Sequence, residues 1–230
     1  MPASGWSEPH PEVVEPAPVP DVLGESVLDP GAPGVRVFAP AAVRVVIGRA
    51  QDPARELHLA AIRADRVPVH RRITGGGAVV LAPGMVVVAL RLPGDVRDPA
   101  RHFARVNAAL VPALAGLGVA ARCRGHGDLA VLADGQERKV LGASLRQDAR
   151  AAYYLASLLV DDQVALMRRY LAAPSRQPDY RGGREHGEFC THLGRWGVDT
   201  QALIIAVTGA CARAAMAGWP DPPQACPVPA

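Results

Sequence analysis

Arg71-Arg72-Ile73-Thr74-Gly75-Gly76-Gly77-Ala78-Val79-Val80 joins two apolar runs through three consecutive glycines, with two arginines just ahead of them. Three glycines in a row are costly in backbone entropy and supply no side chain for packing. Such a run makes sense where backbone passes close to a ligand and turns its N–H groups toward an anion, with the arginines adding positive charge. A glycine bulge in a hairpin is the plainer reading, and residues 71–80 alone leave both open. The stretch is not a Walker loop, because no Gly-Lys-Ser/Thr follows, and not a dinucleotide fingerprint, because no helix opens at the last glycine.

Outward from this stretch, the pattern alternates short strands with helices. Val35–Phe38 and Val43–Gly48 are β-branched runs separated by an Ala-Pro turn. Asp52-Pro53 offers an N-cap and a first-turn proline to a helix over Ala54–Asp65, and Val67–Arg71 reads as the strand entering the glycines. Beyond them, Ala78–Leu81 and Met85–Leu90 read as strands joined around Pro83-Gly84. Asp98-Pro99 starts a helix through Leu117 that Gly118 closes. Val119–Cys123, Leu129–Ala133 and Lys139–Leu145 read as an antiparallel set with a turn at Asp134-Gly135. Tyr153–Val160 is a strand, Asp161 or Asp162 caps a helix to Leu171, and Thr200–Met216 is the last helix. The prediction is an α+β fold of mixed and antiparallel sheets packed with helices, not a doubly wound parallel sheet. Residues 1–34 are expected to be a Pro-rich flexible lead-in, 35–217 the folded domain, and 218–230 a loose tail.

The second chemical stretch is Gly125-His126-Gly127-Asp128-Leu129, followed by Glu137-Arg138-Lys139-Val140-Leu141-Gly142-Ala143-Ser144. A hairpin between these strands puts Asp128 and Lys139 at the same end of neighbouring strands. A carboxylate facing an ammonium there would serve Mg²⁺ or a nucleotide on one side and a phosphate or carbonyl oxygen on the other. A structural ion pair is the alternative. Among 25 Lys plus Arg, Lys139 is the single lysine. In so arginine-rich a chain, a retained lysine suggests a site where a planar guanidinium fails and a compact ammonium is needed.

The totals exclude several classes. The hydrophobic fraction is 49% with 4% aromatics, so the core must be built from Val, Leu, Ala and Ile. A net charge of +3 without a basic block gives no nucleic-acid arm. Cys123, Cys190, Cys211 and Cys226 form no C-x-x-C pair, so neither zinc nor a disulfide framework is indicated. His58, His70, His102 and His192 have no partners at metal-ligand spacing. No export signal and no apolar run of about 18 residues is present, so the expected location is cytoplasmic and away from the membrane.

Four segments in order resemble the lipoate–protein ligase family, within the group that includes octanoyltransferases and biotin ligases. They are Val45-Val46-Ile47-Gly48-Arg49-Ala50-Gln51-Asp52, the glycine stretch, Gly127-Asp128-Leu129, and Lys139-Val140-Leu141-Gly142-Ala143-Ser144. The resemblance implies an enzyme that uses ATP and Mg²⁺ to convert lipoate or octanoate into an acyl-adenylate. The acyl group then passes to a lysine on an acidic lipoyl-carrier domain, of the 2-oxoacid dehydrogenase E2 or glycine cleavage H protein type. It further implies that Arg71, Arg72 and the Gly75–Gly77 backbone with Ala78 line the acyl and adenylate pocket. Arg49 and Gln51 would stand at its edge and Gly142 beside it, with Asp128 by the metal or nucleotide. Lys139 would be the catalytic group on the carboxylate or α-phosphate oxygen. Val79, Leu81 and Val87 are offered as the wall of an acyl tunnel.

The match departs from the family in three places. The usual early helix is replaced by the Pro-rich lead-in. The usual Tyr-His-Asp-x-Gly-Asn after the glycines is replaced by Val80-Leu81-Ala82-Pro83-Gly84-Met85. The segment after Leu193 is expected to be too short for the accessory domain of full-length ligases, so either a separate protein supplies that role or adenylation is not what this chain does. These departures keep two alternatives: an octanoyl- or lipoyltransferase working through a cysteine thioester, with Cys123 between Arg122 and Arg124 as its candidate nucleophile, and a non-catalytic acyl-binding relative. Arg181, Arg184 and His186, on the glycine-rich stretch 178–189, are candidate contacts for nucleotide or carrier.

Overall fold

The computed structural model describes residues 21–95, 97–219 and 221. Residues 1–20 of the lead-in and 222–230 of the tail, with Cys226, lie outside the described residues. In chain order the elements are β1 (Val35–Phe38), β2 (Arg44–Ile47), α1 (Pro53–Glu56), α2 (Leu59–Ala64), β3 (Val69–Arg71), β4 (Val79–Leu81) and β5 (Met85–Pro93). There follow α3 (Pro99–Ala115), β6 (Arg122–Arg124), β7 (Asp128–Ala133), β8 (Gln136–Gln147), β9 (Ala151–Leu159), α4 (Val164–Tyr170), α5 (His186–Phe189) and α6 (Thr200–Met216).

Six strands form one antiparallel sheet in the order β1-β5-β9-β8-β7-β6, and β3-β2-β4 form a small mixed sheet. The two cores follow from strand alternation on the large sheet. Val86, Val88, Leu90 and Leu92 of β5 point to one face, where Val106, Leu110 and Leu114 of α3 and Leu203, Val207 and Cys211 of α6 cover them. Met85, Val87 and Ala89 point to the other, against Val45, Val46 and Ile47 of β2, Val80 and Leu81 of β4, and Met167 and Tyr170 of α4. Each such Leu or Val contributes roughly 1.5–3 kcal/mol by leaving water. The second face, roofed by the small sheet, is where the glycine stretch sits.

Several expectations hold in detail. Asp98 caps α3 by accepting from the Ala100 amide, and Asp199 caps α6 by accepting from Ala202. Asp134 (φ 53°) and Gly135 (φ 73°) make a two-residue turn with both residues left-handed, as a tight hairpin between β7 and β8 requires. Others need correction. The helix expected over Ala54–Asp65 is two short helices, because Leu57 is extended and bridges Leu171 while the His58 amide donates to Tyr170 O. Ala78–Leu81 and Met85–Leu90 are not hairpin partners: β4 joins the small sheet and β5 the large one. Residues 21–34, expected within the lead-in, include a 3₁₀ turn at Glu25–Leu28, and Leu23 and Val27 are buried in the second core. The tail begins docked as well: Trp219 is buried and Asp221 pairs with Arg101 and Arg105 of α3.

Candidate functional site

The β7–β8 hairpin brings Asp128 and Lys139 together. A bulge at Leu129/Ala130 sets Lys139 opposite Ala130. The Lys139 Nζ lies 2.8 Å from Asp128 Oδ1, both side chains largely covered. The other oxygen, Oδ2, accepts from the Tyr180 hydroxyl at 2.8 Å. The lysine stem lies over Gly142, where a Cβ would stand 2.6 Å from both Cε and Nζ. Glycine at 142 is thus a condition for the lysine's position, on the same strand.

The glycine stretch faces β8 from the small sheet. Gly48 lies beneath it, since a Cβ there would come within 2.2 Å of Gly76 O, and the Arg49 amide donates to Thr74 O at 2.9 Å. Thr74 Oγ1 and Ser144 Oγ, 2.8 Å apart, tie the stretch to β8. The two arginines act mainly on backbone. Arg71 Nη1 donates to the carbonyls of Gly48, Arg49 and Gln51 at 3.0, 3.1 and 2.9 Å, clamping the turn after β2. Buried Arg72 donates through Nε and Nη2 to Gly75 O and through Nη2 to Gly77 O. With carbonyls turned to Arg72, the amides of solvent-exposed Gly75, Gly76 and Gly77 have no hydrogen-bond partner among the described residues. Arg72 Nη1 is buried without a partner, and desolvation brings this guanidinium down to about 10. Solvent-facing N–H donors beside a buried cation suit an anion. Arg49 itself is exposed, and Ala78 is half-buried against the second core.

A strap formed by residues 172–185 crosses the end of the hairpin. It is fixed at one end by Glu56, whose carboxylate accepts from the Ser175 hydroxyl. At the other end, Arg184 donates to Glu137 O and Tyr180 O. Arg181 and Arg184 each donate from Nε to the other's carbonyl and stack on Phe189, 4.9 and 5.3 Å from its ring centre. Burial, then Arg181, lowers the pKa of His186. Past α5 the chain returns to β8: Cys190 bridges Lys139, and the Thr191 amide donates to Lys139 O at 2.9 Å. The Cys190 thiol is buried; desolvation raises its pKa, and the nearby Lys139 and Arg181 charges oppose that.

Sequence reasoning missed Tyr180 and Cys190. Nothing in the spacing marks a bridge between chain positions 139 and 190, though Cys190 immediately follows the arginine- and glycine-rich stretch already singled out. Cys123, the cysteine chosen from sequence, is elsewhere and is disulfide-bonded, so it offers no free thiol, and the expectation of a chain without disulfides is corrected. It pairs with Leu129, and both pack in the first core, on the face of the sheet away from Lys139. Asp128 pairs with Lys139, as expected, and with Tyr180 besides. Both its oxygens are engaged, and no cluster of three His, Cys, Asp or Glu fit for a metal occurs among the described residues. Each carboxylate oxygen keeps a second lone pair, so these two donors leave Asp128 able to meet a cation carried on nucleotide phosphates.

Residues 23–204 match the model of the lipoyl protein ligase A/B catalytic domain. The chain belongs to that family. Its lipoyl-ligase fold is shared with solved structures. The bipartite lipoate protein ligase of Thermoplasma acidophilum, described with its E2 lipoyl domain, has a TM-score of 0.70 at 22% identity, over 79% of this chain and 71% of that one. A lipoate-protein ligase A bound with ATP gives 0.68 at 22%, over 79% and 72%. P. falciparum LipL1 in complex with lipoate gives 0.60 at 19%, over 78% and 48%. At these identities the likeness to solved structures establishes the fold. No described helix of this lipoyl-ligase family member is long and apolar enough to cross a membrane.

Proposed function

We propose that the protein attaches a lipoyl or octanoyl group to a lysine of an acidic lipoyl-carrier domain, through an acyl-adenylate. The observation that carries this reading is the single lysine, Lys139, held over Gly142 by a buried carboxylate on the strand whose Ser144 is tied to a glycine stretch with three amides lacking a protein partner among the described residues. In the first step a carboxylate oxygen of the acid attacks the α-phosphorus of ATP, the new O–P bond forms and pyrophosphate leaves. In the second, the carrier's neutral ε-amine attacks the acyl carbon, a C–N bond forms, AMP departs and the amine's proton passes to solvent. The Gly75–Gly77 amides and Arg72 Nη1 would hold phosphate oxygens, and Lys139 would stabilise charge gathering on the acyl or phosphoryl oxygen. Magnesium would travel on the phosphates of ATP. The apolar tail would lie toward the second core, where Val79, Leu81 and Val87 supply apolar side chains. The lipoyl carrier as partner, and a separate accessory protein completing adenylation, belong to the same proposal.

A second reading is favoured by one observation, the bridge between Cys190 and Lys139. In a transferase, the Cys190 thiolate would take the acyl group from a carrier thioester, one C–S bond forming as the other breaks. The acceptor lysine would then displace it. One assay separates the routes. The protein is incubated with lipoate or octanoate, MgATP and apo-carrier, or with an octanoyl-carrier thioester, and pyrophosphate and carrier mass are followed. Acylation that needs ATP, survives Cys190→Ser and is lost in Lys139→Ala supports the adenylate. Acylation from the thioester alone, lost in Cys190→Ser and kept in Cys123→Ser, replaces it with the transferase. Acid binding without turnover in either arm leaves a non-catalytic binder and removes both.

A further inference from the structure

The arrangement around Asp128 reaches beyond the pair it makes with Lys139. Its carboxylate is shared: Oδ1 meets the ammonium and Oδ2 meets the Tyr180 phenol, each at 2.8 Å. The three groups come from β7, β8 and the strap. Tyr180 is itself half-buried, stacked on Phe189 with ring centres 5.0 Å apart, and its backbone carbonyl is held by Arg184. Gly125, at φ 50°, turns the chain beside Pro178 and the Tyr180 ring. The terminal torsion of an aspartate is broad and two-fold, so one hydrogen bond fixes its plane poorly and two on separate oxygens fix it well. A lysine has four rotatable bonds and loses much rotamer entropy when held in one place. A donor that locks the carboxylate therefore locks the ammonium on the other oxygen.

We infer that Tyr180 is a positioning residue of the acyl-transfer site, acting through Asp128 to fix Lys139 and making that fixation conditional on the seating of the strap. Burial and the Asp128 charge keep the phenol protonated, so it remains a donor. Cys190, Arg181, Arg184, Arg124 and Tyr154 are the other charged and titratable groups near the pair, and none of their side chains is bonded to the Asp128 carboxylate. Substrate that lifted the strap would free the carboxylate's second oxygen, and the lysine would lose its fixed place with it. The strap in this way couples closure to the readiness of the ammonium, rather than merely covering the site.

The inference rests on the acyl-transfer reading, and the test keeps the two apart. Tyr180→Phe retains the ring on Phe189 and removes only the hydroxyl. Expected is a fall in kcat of about tenfold with KM for the acid within about twofold, the pattern of a misplaced reacting group. In an Asp128→Ala background the same change should have no further effect, because the phenol then has nothing to hold. Equal losses in both backgrounds, or an unchanged kcat in Tyr180→Phe, would overturn the inference. A second readout needs no turnover. Lys139 is the only lysine, so its modification by an amine reagent, located by peptide mass, reports its fixation directly. Tyr180→Phe should raise that rate several-fold in a normally folded protein, and an unchanged rate rejects the coupling even if the protein transfers no acyl group.

Discussion

Gly142 is the floor on which Lys139 lies: a Cβ at 142 would stand 2.6 Å from the lysine's Cε and Nζ, closer than any real contact. Gly142→Ala should therefore displace the ammonium without touching either core. A shift near 1 Å in a reacting group costs about a hundredfold in rate. The expected outcome is a loss of acyl transfer of that order, with a thermal unfolding midpoint close to the parent's, read by carrier mass and by differential scanning calorimetry.

Lys139→Arg keeps the charge and tests its shape. A guanidinium is wider than an ammonium and has no room over Gly142, so its charge cannot reach the same oxygen. Transfer should fall at least about a hundredfold, in the range of a lost electrostatic stabiliser, and approach the level of Lys139→Ala. Near-parent activity in the arginine variant would show that charge alone suffices at this position.

Leu110 of α3 is fully buried in the first core, across the large sheet from the site. Leu110→Ala should cost about 2–5 kcal/mol in unfolding free energy, measured by urea denaturation. Because the lesion is on the far face, specific activity of the folded fraction at low temperature should remain near that of the parent. A proportionate loss of activity would mean that the first core shapes the site after all.

His186 gives a pH prediction. Burial and the neighbouring Arg181 depress its folded-state pKa below the ordinary imidazole value of 6.5. The unfolded chain thus takes up the proton first as pH falls. Its contribution to stability is complete above about 6.5 and is lost as pH drops through the depressed folded value. His70 is depressed with the same sign, so the difference between variants is what counts. The thermal midpoint of His186→Gln should fall less between pH 7.5 and 5.5 than that of the parent. Equal slopes would remove His186 from the pH response.

The parts of the fold that were legible are those set by neighbours in the chain. Asp98 and Asp199 cap their helices as local rules require, and Asp134-Gly135 makes the turn that puts Asp128 beside Lys139. The break at Leu57 was not legible, because it depends on pairing with Leu171, more than a hundred residues away. Arg71 and Arg72 were read as charge beside the glycine stretch, but charge and proximity do not reveal that Arg71 Nη1 and Arg72 Nε and Nη2 donate to backbone carbonyls. The cysteines are the clearest case. Cys123 sits between two arginines in the sequence, yet alternation along β6 turns it into the first core. Cys190 has no such flank and meets Lys139 only through the return of the chain after α5.

The pairing of Lys139 with Asp128 has a consequence for the protein's own integrity. Activated acyl groups modify any accessible amine, and a catalyst that generates them is exposed to the highest concentration. Here arginine has taken every other Lys or Arg position, and the single ε-amino group is paired with a buried carboxylate. The surface so built offers no side-chain amine for stray acylation. Incubation with acid and MgATP, without carrier, should leave Lys139 unmodified by mass, whereas Asp128→Ala should open it to self-acylation.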